Sequence, residues 1–295
     1  MNDSLARFTQ ASQTAAASVI STYSTSFGVA TRLLGARHRT HVRSIYAMVR
    51  VADEIVDGVG YEAGLDTEAQ REQLRAYAAQ ARQAVETGCS SDLVLHAFAQ
   101  TARVSGIGAD LTDPFFESME ADLEEQNSQG LHVYDGEDYQ RYVYGSAEVV
   151  GLMCLKVFLR QESLEADQLA RLDHGARQLG AAFQNVNFLR DLADDTERLN
   201  RSYLTGESQL TEADKQDWVR RVSAQLDDAK AAVPLLPKDA RAAVRAALAL
   251  FEALNKRVEK TSVETLYRRR VRVPDTLKGL LAARAVAQTC TEVRT

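Results

Sequence analysis

"VRVADEIVDGVG", residues 49–60, sets Asp53 and Asp57 four residues apart in a run that otherwise reads as apolar helix. Like charges at i and i+4 of a helix repel by roughly 0.2–0.5 kcal/mol. Burying an unpaired carboxylate costs far more. Tyr46, Arg50, Asp53 and Asp57 stand at i, i+4, i+7 and i+11, which is one narrow polar stripe. Ile45, Val49, Ala52, Val56 and Val59 form an apolar stripe beside it, widened by Met48 and Ile55. The acids are therefore bordered by core-forming residues. Asp is also a poorer helix former than the Lys and Glu of an ordinary solvated face. Glu54 points about 100° away from Asp53 and falls outside the stripe.

The same helical period runs outward through almost the whole chain, and only four prolines interrupt it. It predicts helices near residues 10–23, 40–59, 67–87, 91–104, 114–128, 136–160, 165–199, 211–232, 238–260 and 275–291. "SDL" at Ser91 and "TDPFF" at Thr112 read as helix starts, with Pro114 in a first turn. "NSQGLHVYDGED" from Asn127 reads as a polar loop, and Thr211 with Asp214 as a capping box. No long linker, repeat or low-complexity tail divides the chain. Residues 1–295 read as a single all-α domain.

Composition narrows the function. The 295 residues carry a net charge of −6, which argues against nucleic acid as a partner. Cations gather locally in "YRRRVRV" from Tyr267. Cys89, Cys154 and Cys290 form no CxxC pair and no disulfide framework, as expected of a reducing cytosol. The first residues lack a signal-peptide pattern, and no stretch approaches about 18 uninterrupted apolar residues. A cytoplasmic protein is expected, meeting any lipid from solution or at a membrane surface. The five histidines show no ligand spacing and read as surface or hinge residues, and Trp218 reads as packing. Phe27 is core or pocket wall. Gly145, Ser146, Ala147 and Gly151 fit close helix packing or room for a substrate tail.

A second stripe gives the first its meaning. In "LGAAFQNVNFLRDLADDTERL", residues 179–199, Gly180, Gln184, Asn187, Asp191 and Asp195 share one side of a helix. Leu179, Ala182, Val186 and Leu189 make the apolar side. Asp-x-x-x-Asp thus occurs twice, each copy with an arginine nearby, Arg50 and Arg190. Magnesium favours one or two carboxylates and completes its shell with water and phosphate oxygens. Two such helices face to face could hold a diphosphate through metal ions, with Asn187 and Gln184 adding neutral oxygens. No Walker loop offers a backbone cradle instead.

These residues carry a resemblance to the squalene/phytoene synthase family, most like its bacterial phytoene synthases. "STSFGVATRLL" from Ser24 resembles that family's Ser-x-Ser-Phe segment, with Ser24, Ser26 and Phe27. "IYAMVRVADEIVD" from Ile45 resembles its first aspartate motif. "YVYGSAEVVGLM" from Tyr142 resembles its tyrosine-bearing helix, with Tyr142 or Tyr144 in the tyrosine role. "FQNVNFLRDLADDTERLNRSYL" from Phe183 resembles its second aspartate motif and the Arg-x-Tyr that follows. The matches span roughly residues 20–275.

The resemblance implies an all-α class I isoprenoid synthase bundle around a central cavity. It implies magnesium, or alternatively manganese, on Asp53, Asp57, Asp191 and Asp195, joined by Asn187. Arg50, Arg190, Arg201 and Arg270 would contact diphosphate, and Tyr46, Tyr142 and Tyr203 would lie near a carbocation. The reaction implied is head-to-head condensation of two prenyl diphosphates through a cyclopropyl diphosphate. Two geranylgeranyl diphosphates would give phytoene. Two farnesyl diphosphates would give dehydrosqualene, or squalene if NADPH supplies a hydride. A non-catalytic scaffold is the alternative from another class, disfavoured by two intact aspartate motifs. The expected partners are the prenyl diphosphates, downstream carotenoid enzymes and the inner face of the plasma membrane. Two departures stand out. Tyr23 occupies a position where relatives often carry histidine, and "TERLNRSY" runs one residue long before Arg201 and Tyr203. Arg270, Arg272 and Lys278 fall in a basic segment that would bind diphosphate or form a surface patch.

Overall fold

The periodicity becomes helix almost everywhere in the computed structural model, which describes residues 3–126, 132–133, 136–192, 201–202 and 210–292. The N-terminal half runs α1 (Asp3–Tyr23), α2 (Thr25–Arg32), α3 (Ala36–Asp57), α4 (Val59–Glu62), α5 (Thr67–Thr87), α6 (Leu93–Ser105) and α7 (Ala109–Gln126). Next come α8 (Gly136–Val143), a π-helical turn (Tyr144–Glu148) and α9 (Val149–Leu159), continuous with one another. After α10 (Ala166–Arg190), the chain closes with α11 (Glu212–Ala232), α12 (Lys238–Glu259), α13 (Val263–Leu266) and α14 (Asp275–Glu292). The one extended pairing among the described residues is two residues long, His132–Val133 beside Arg201–Ser202. The fold is all-α, as the pattern predicts.

Local chemistry sets the helix ends. Asp66 and Asp92 cap α5 and α6 by accepting from Ala69 N and Leu95 N, each at 2.8 Å. Gly88 and Gly106 close the same helices with φ of +76° and +67°, a left-handed geometry that glycine takes without steric cost. Thr211 and Asp214 form the expected capping box. The first helix ends at Tyr23 as predicted, but Ser24 then starts an unpredicted helix, α2, its hydroxyl accepting from Phe27 N at 3.1 Å. Other helix ends differ from expectation. Gly58 caps α3, which ends at Asp57, two residues earlier than predicted, so Val59 opens α4 and is 56% exposed rather than part of the apolar stripe. α7 begins at Ala109, on a turn in which Gly108 O accepts from Leu111 N and Thr112 N, so Pro114 lies inside the helix and offers no N–H to Asp110 O. α10 stops at Arg190, not residue 199, which puts Asp191 at its C-cap.

Two apolar clusters fill the bundle. One gathers Ile45, Met48, Phe98, Phe115 and Met153 from α3, α6, α7 and α9. The other gathers Val186, Leu189, Val222, Phe251 and Leu266 from α10 to α13. The α8–α9 rod is wedged between α7 and α10. A Cβ on Gly145 would strike Pro114 O and Ser118 Oγ, and one on Gly180 would lie 2.5 Å from Ala147 O. The small residues of this helix are thus required for close packing. The rod (Gly136–Leu159) is long and apolar enough to cross a membrane by length and composition, unlike the sequence expectation, yet half of its apolar window is buried among neighbouring helices. It is a core helix.

The histidines correct the surface reading. His38 and His96 are wholly buried. His38 Nε2 meets Asp239 Oδ1 at 3.1 Å, and Arg37 donates to both oxygens of the same carboxylate, tying α3 to α12. His41 Nδ1 lies 3.0 Å from Thr101 Oγ1. His174 is exposed, as expected.

Candidate active site

Both aspartate motifs lie at the C-terminal ends of their helices. Asp53, Glu54 and Asp57 occupy the last turn of α3, and no basic residue shares that turn. Asp191 is the C-cap of α10, its N–H bonded to Asn187 O at 2.8 Å. Helix carbonyls make these ends electronegative, so a carboxylate there is disfavoured by about 0.3–1 kcal/mol. Cations must offset that cost.

Arginines do so on both sides. Arg50 Nη1 donates to Asp53 Oδ2 at 2.5 Å, and its Nη2 donates to Glu54. Burial works against the Arg50 charge, but Asp53 and Glu54 outweigh it and its pKa is raised. Its guanidinium also lies over the Tyr23 ring, 4.6 Å from the centroid. Glu54, set aside from the stripe by its angle, belongs to this cluster: Asp53 and Glu54 stand at i+3 and i+4 from Arg50, and a planar fork reaches both. On the second side, Arg190 Nε and Nη2 grip Asp191 at 2.8 and 2.5 Å. Arg270 grips it from the C-terminal segment, with Nε at 2.7 Å and Nη2 at 3.3 Å. Arg270 thus touches Asp191 while remaining exposed on the basic segment.

Asn187 stands one turn before Asp191. Its Oδ1 is buried and accepts no hydrogen bond, although buried acceptors are normally satisfied. A free amide oxygen beside a carboxylate is the donor chemistry a hard divalent cation takes. By donor chemistry Asn187 and Asp191 would suit magnesium. Among the described residues no group of three or more His, Cys, Asp and Glu gathers around one point. Asp195 and Tyr203, and the side chains of Ser26 and Arg201, lie outside the described residues.

Aromatic side chains join the two motif helices. α3 and α10 do not pack along each other, and a side chain of α2 bridges them. Phe27 on α2 lies 6.1 Å from Tyr46, 5.7 Å from Phe183 and 5.9 Å from Phe251, centroid to centroid. Phe183 and Phe251 stack at 3.6 Å. Burial raises the Tyr46 pKa against the opposing pull of Arg50 and a hydrogen bond from Ser24. Phe27 is half-buried and packs against the second apolar cluster. Phe183 and Phe251 had no feature in the sequence to separate them from ordinary core. Gln184 is half-buried on the same helix face. Of the two tyrosines in the third motif, Tyr142 is buried and donates to Asp122 Oδ2 at 3.2 Å. Tyr144 is half-buried against the first apolar cluster, with the Arg177 guanidinium 5.4 Å from its ring centroid. Lys278 Nζ bonds Thr25 Oγ1 at 2.9 Å, so the basic C-terminal segment holds α2 as well as Asp191.

Known proteins resemble this chain in sequence and in shape. The squalene/phytoene synthase family profile matches residues 20–276. A phytoene synthase of Rhodobacter capsulatus is 30% identical over 93% of this chain and 81% of its own length. A 15-cis-phytoene synthase of Paracoccus is 26% identical, covering 88% of this chain and 86% of its own. For the 15-cis-phytoene synthase of Pantoea ananas, 30% identical, the match spans only 55% of that protein. In shape, a dehydrosqualene synthase superposes with a TM-score of 0.76 at 22% identity, covering 96% of this chain and 98% of that one. A squalene synthase of Alicyclobacillus acidocaldarius gives 0.70 at 18%, covering 85% and 94%.

Proposed function

The chain belongs to the squalene/phytoene synthase family, and from that premise we propose that it condenses two geranylgeranyl diphosphates head to head into phytoene. The observation that carries this reading is the pair of acidic helix ends, clasped by Arg50 on one side and by Arg190 and Arg270 on the other. Magnesium held by Asp53, Asp57, Asn187 and Asp191, with Asp195, would neutralise these carboxylates and the charge of a departing diphosphate.

The chain's own residues do the rest. Arg50, Arg190 and Arg270 exchange carboxylate partners for diphosphate oxygens, which guanidinium binds in the same forked geometry. Loss of diphosphate with the C–O bonding pair leaves an allylic cation. The faces of Phe27, Tyr46, Phe183 and Phe251 offer it π density and keep water away. The cation alkylates the double bond next to the second molecule's diphosphate-bearing carbon, and proton loss closes a cyclopropane. A second departure of diphosphate, rearrangement and proton loss give the linear triene centre with no net redox change. With its pKa raised, Tyr46 stays protonated at neutral pH and orients rather than ionises. Tyr142, fixed by Asp122, shapes the wall further in.

Farnesyl diphosphate is the runner-up substrate, favoured by the dehydrosqualene and squalene synthases among the structural neighbours. A squalene product would need NADPH. The reading also places the protein in the cytoplasm, on the inner face of the plasma membrane beside enzymes that consume its hydrocarbon. Purified protein with magnesium and either diphosphate, with and without NADPH, decides the matter by mass spectrometry of the extract. Phytoene from geranylgeranyl diphosphate without NADPH is the expected product. A C30 hydrocarbon formed in preference would shift the reading to farnesyl diphosphate, and no hydrocarbon from either would refute it.

A further inference from the structure

A groove of about 720 Å³ opens at the C-terminal end of α12, and six cations line it: Lys256, Arg257, Lys260, Arg269, Arg270 and Arg272. All six are exposed. Arg270 is held by Asp191, but Lys256, Arg257, Lys260, Arg269 and Arg272 face no carboxylate among the described residues. Cations at a helix C-terminus are ordinary dipole partners, which would account for Lys256, Arg257 and Lys260. It does not account for Arg269, Arg270 and Arg272, which come from a separate segment and converge on the same groove. Gathering six like charges is unfavourable unless an anion meets them. The chain as a whole carries −6, so this face is opposite in sign to the protein's net charge.

Apolar side chains adjoin the cations. Leu277 lines the groove, and Leu280, three residues along the same helix, is 65% exposed. A basic cluster with an exposed leucine beside it is the chemistry of an interfacial surface: charge for anionic headgroups and an apolar tip for the acyl boundary. A small soluble anion would gain nothing from Leu280. The groove also adjoins the candidate site, since Arg270 belongs to both.

We propose that this face docks the protein on an anionic phospholipid bilayer, with the groove against the headgroups and the acidic helix ends behind it. The proposal deepens the synthase reading and rests on it only for its purpose: a substrate with a long prenyl tail and a hydrocarbon product both belong in a bilayer. The geometry of the groove does not depend on that reading.

Vesicle co-sedimentation of the full chain tests the surface without any substrate. Wild type should bind vesicles containing about a third phosphatidylglycerol, ignore pure phosphatidylcholine, and lose binding as salt rises. Each cation near such a surface strengthens binding about fivefold. The triple variant K256Q/R257Q/K260Q, all away from the Asp191 contact, should therefore bind roughly a hundredfold more weakly. Its circular dichroism and its turnover of detergent-dispersed substrate should match wild type. Leu280→Ser should weaken vesicle binding without changing its salt dependence. Equal binding to neutral vesicles, or undiminished binding by the triple variant, would overturn the proposal. So would inorganic pyrophosphate bound by wild type and lost by the triple variant in a protein that ignores vesicles, which would make the groove a site for free anions. An inactive protein that still binds phosphatidylglycerol through these residues would refute the synthase reading alone.

Discussion

Asn187 and Asp191 show at single-residue scale how function is set against stability. A buried amide oxygen without a donor is a cost, and so is a carboxylate on the negative end of a helix. Asn187→Leu removes the unsatisfied oxygen with little change of volume. Its denaturation midpoint should equal or exceed that of wild type, while the magnesium concentration for half-maximal rate rises. A variant that unfolds more easily, with an unchanged magnesium requirement, would make Asn187 a packing residue. The stripes of α3 and α10 were legible because helical spacing alone aligns Tyr46, Arg50, Asp53 and Asp57. Glu54 was not, because an angle on a helical wheel ignores the length of the arginine that reaches it. Arg270 lies 79 residues from Asp191, and only the fold brings the two together.

Helices meet at glycine in this fold, and the sequence could name the small residues without saying what they touch. The π turn at Tyr144–Glu148 sits where Gly145 lies against α7 and where Gly180 of α10 comes against Ala147. Alanine is a better helix former than glycine by about 1 kcal/mol. Gly180→Ala should nonetheless destabilise by about 1–3 kcal/mol, because its Cβ would sit 2.5 Å from a backbone oxygen that cannot step aside. Urea denaturation at constant m-value reads this directly. A stabilised variant would mean that the contact between the π turn and α10 yields readily. Helix ends were read less well than helix interiors. Ser24, Gly58 and Asp191 end or start elements through hydrogen bonds and tertiary clasps that periodicity does not carry.

Across the whole molecule, buried histidines couple the bundle to pH. Burial lowers the pKa of His38 and His96 and brings that of His41 down to about 4. The unfolded chain, with histidines near 6.5, therefore takes up protons first as pH falls. Stability from these groups is complete above about pH 6.5 and declines as pH drops toward 4. Asp239, held at about 2 mainly by its hydrogen bond from Arg37, adds its own loss only below about pH 4. Tm should fall between pH 6.5 and 4.5, and His41→Gln should flatten that slope. An unchanged slope would place the titration elsewhere.

The central claim is that two acidic helix ends, distant in sequence, work as one site. Turnover of Asp53→Asn, Asp191→Asn and the double variant, each shown to be folded, tests it most directly. Removing metal-borne charge stabilisation of several kcal/mol should lower kcat/KM by about a thousandfold or more in either single variant. If the two carboxylates serve one cluster, the double variant should be little worse than the singles, because groups that act as a unit are not additive. Near-normal turnover in either single variant, or losses that simply multiply in the double, would contradict the account.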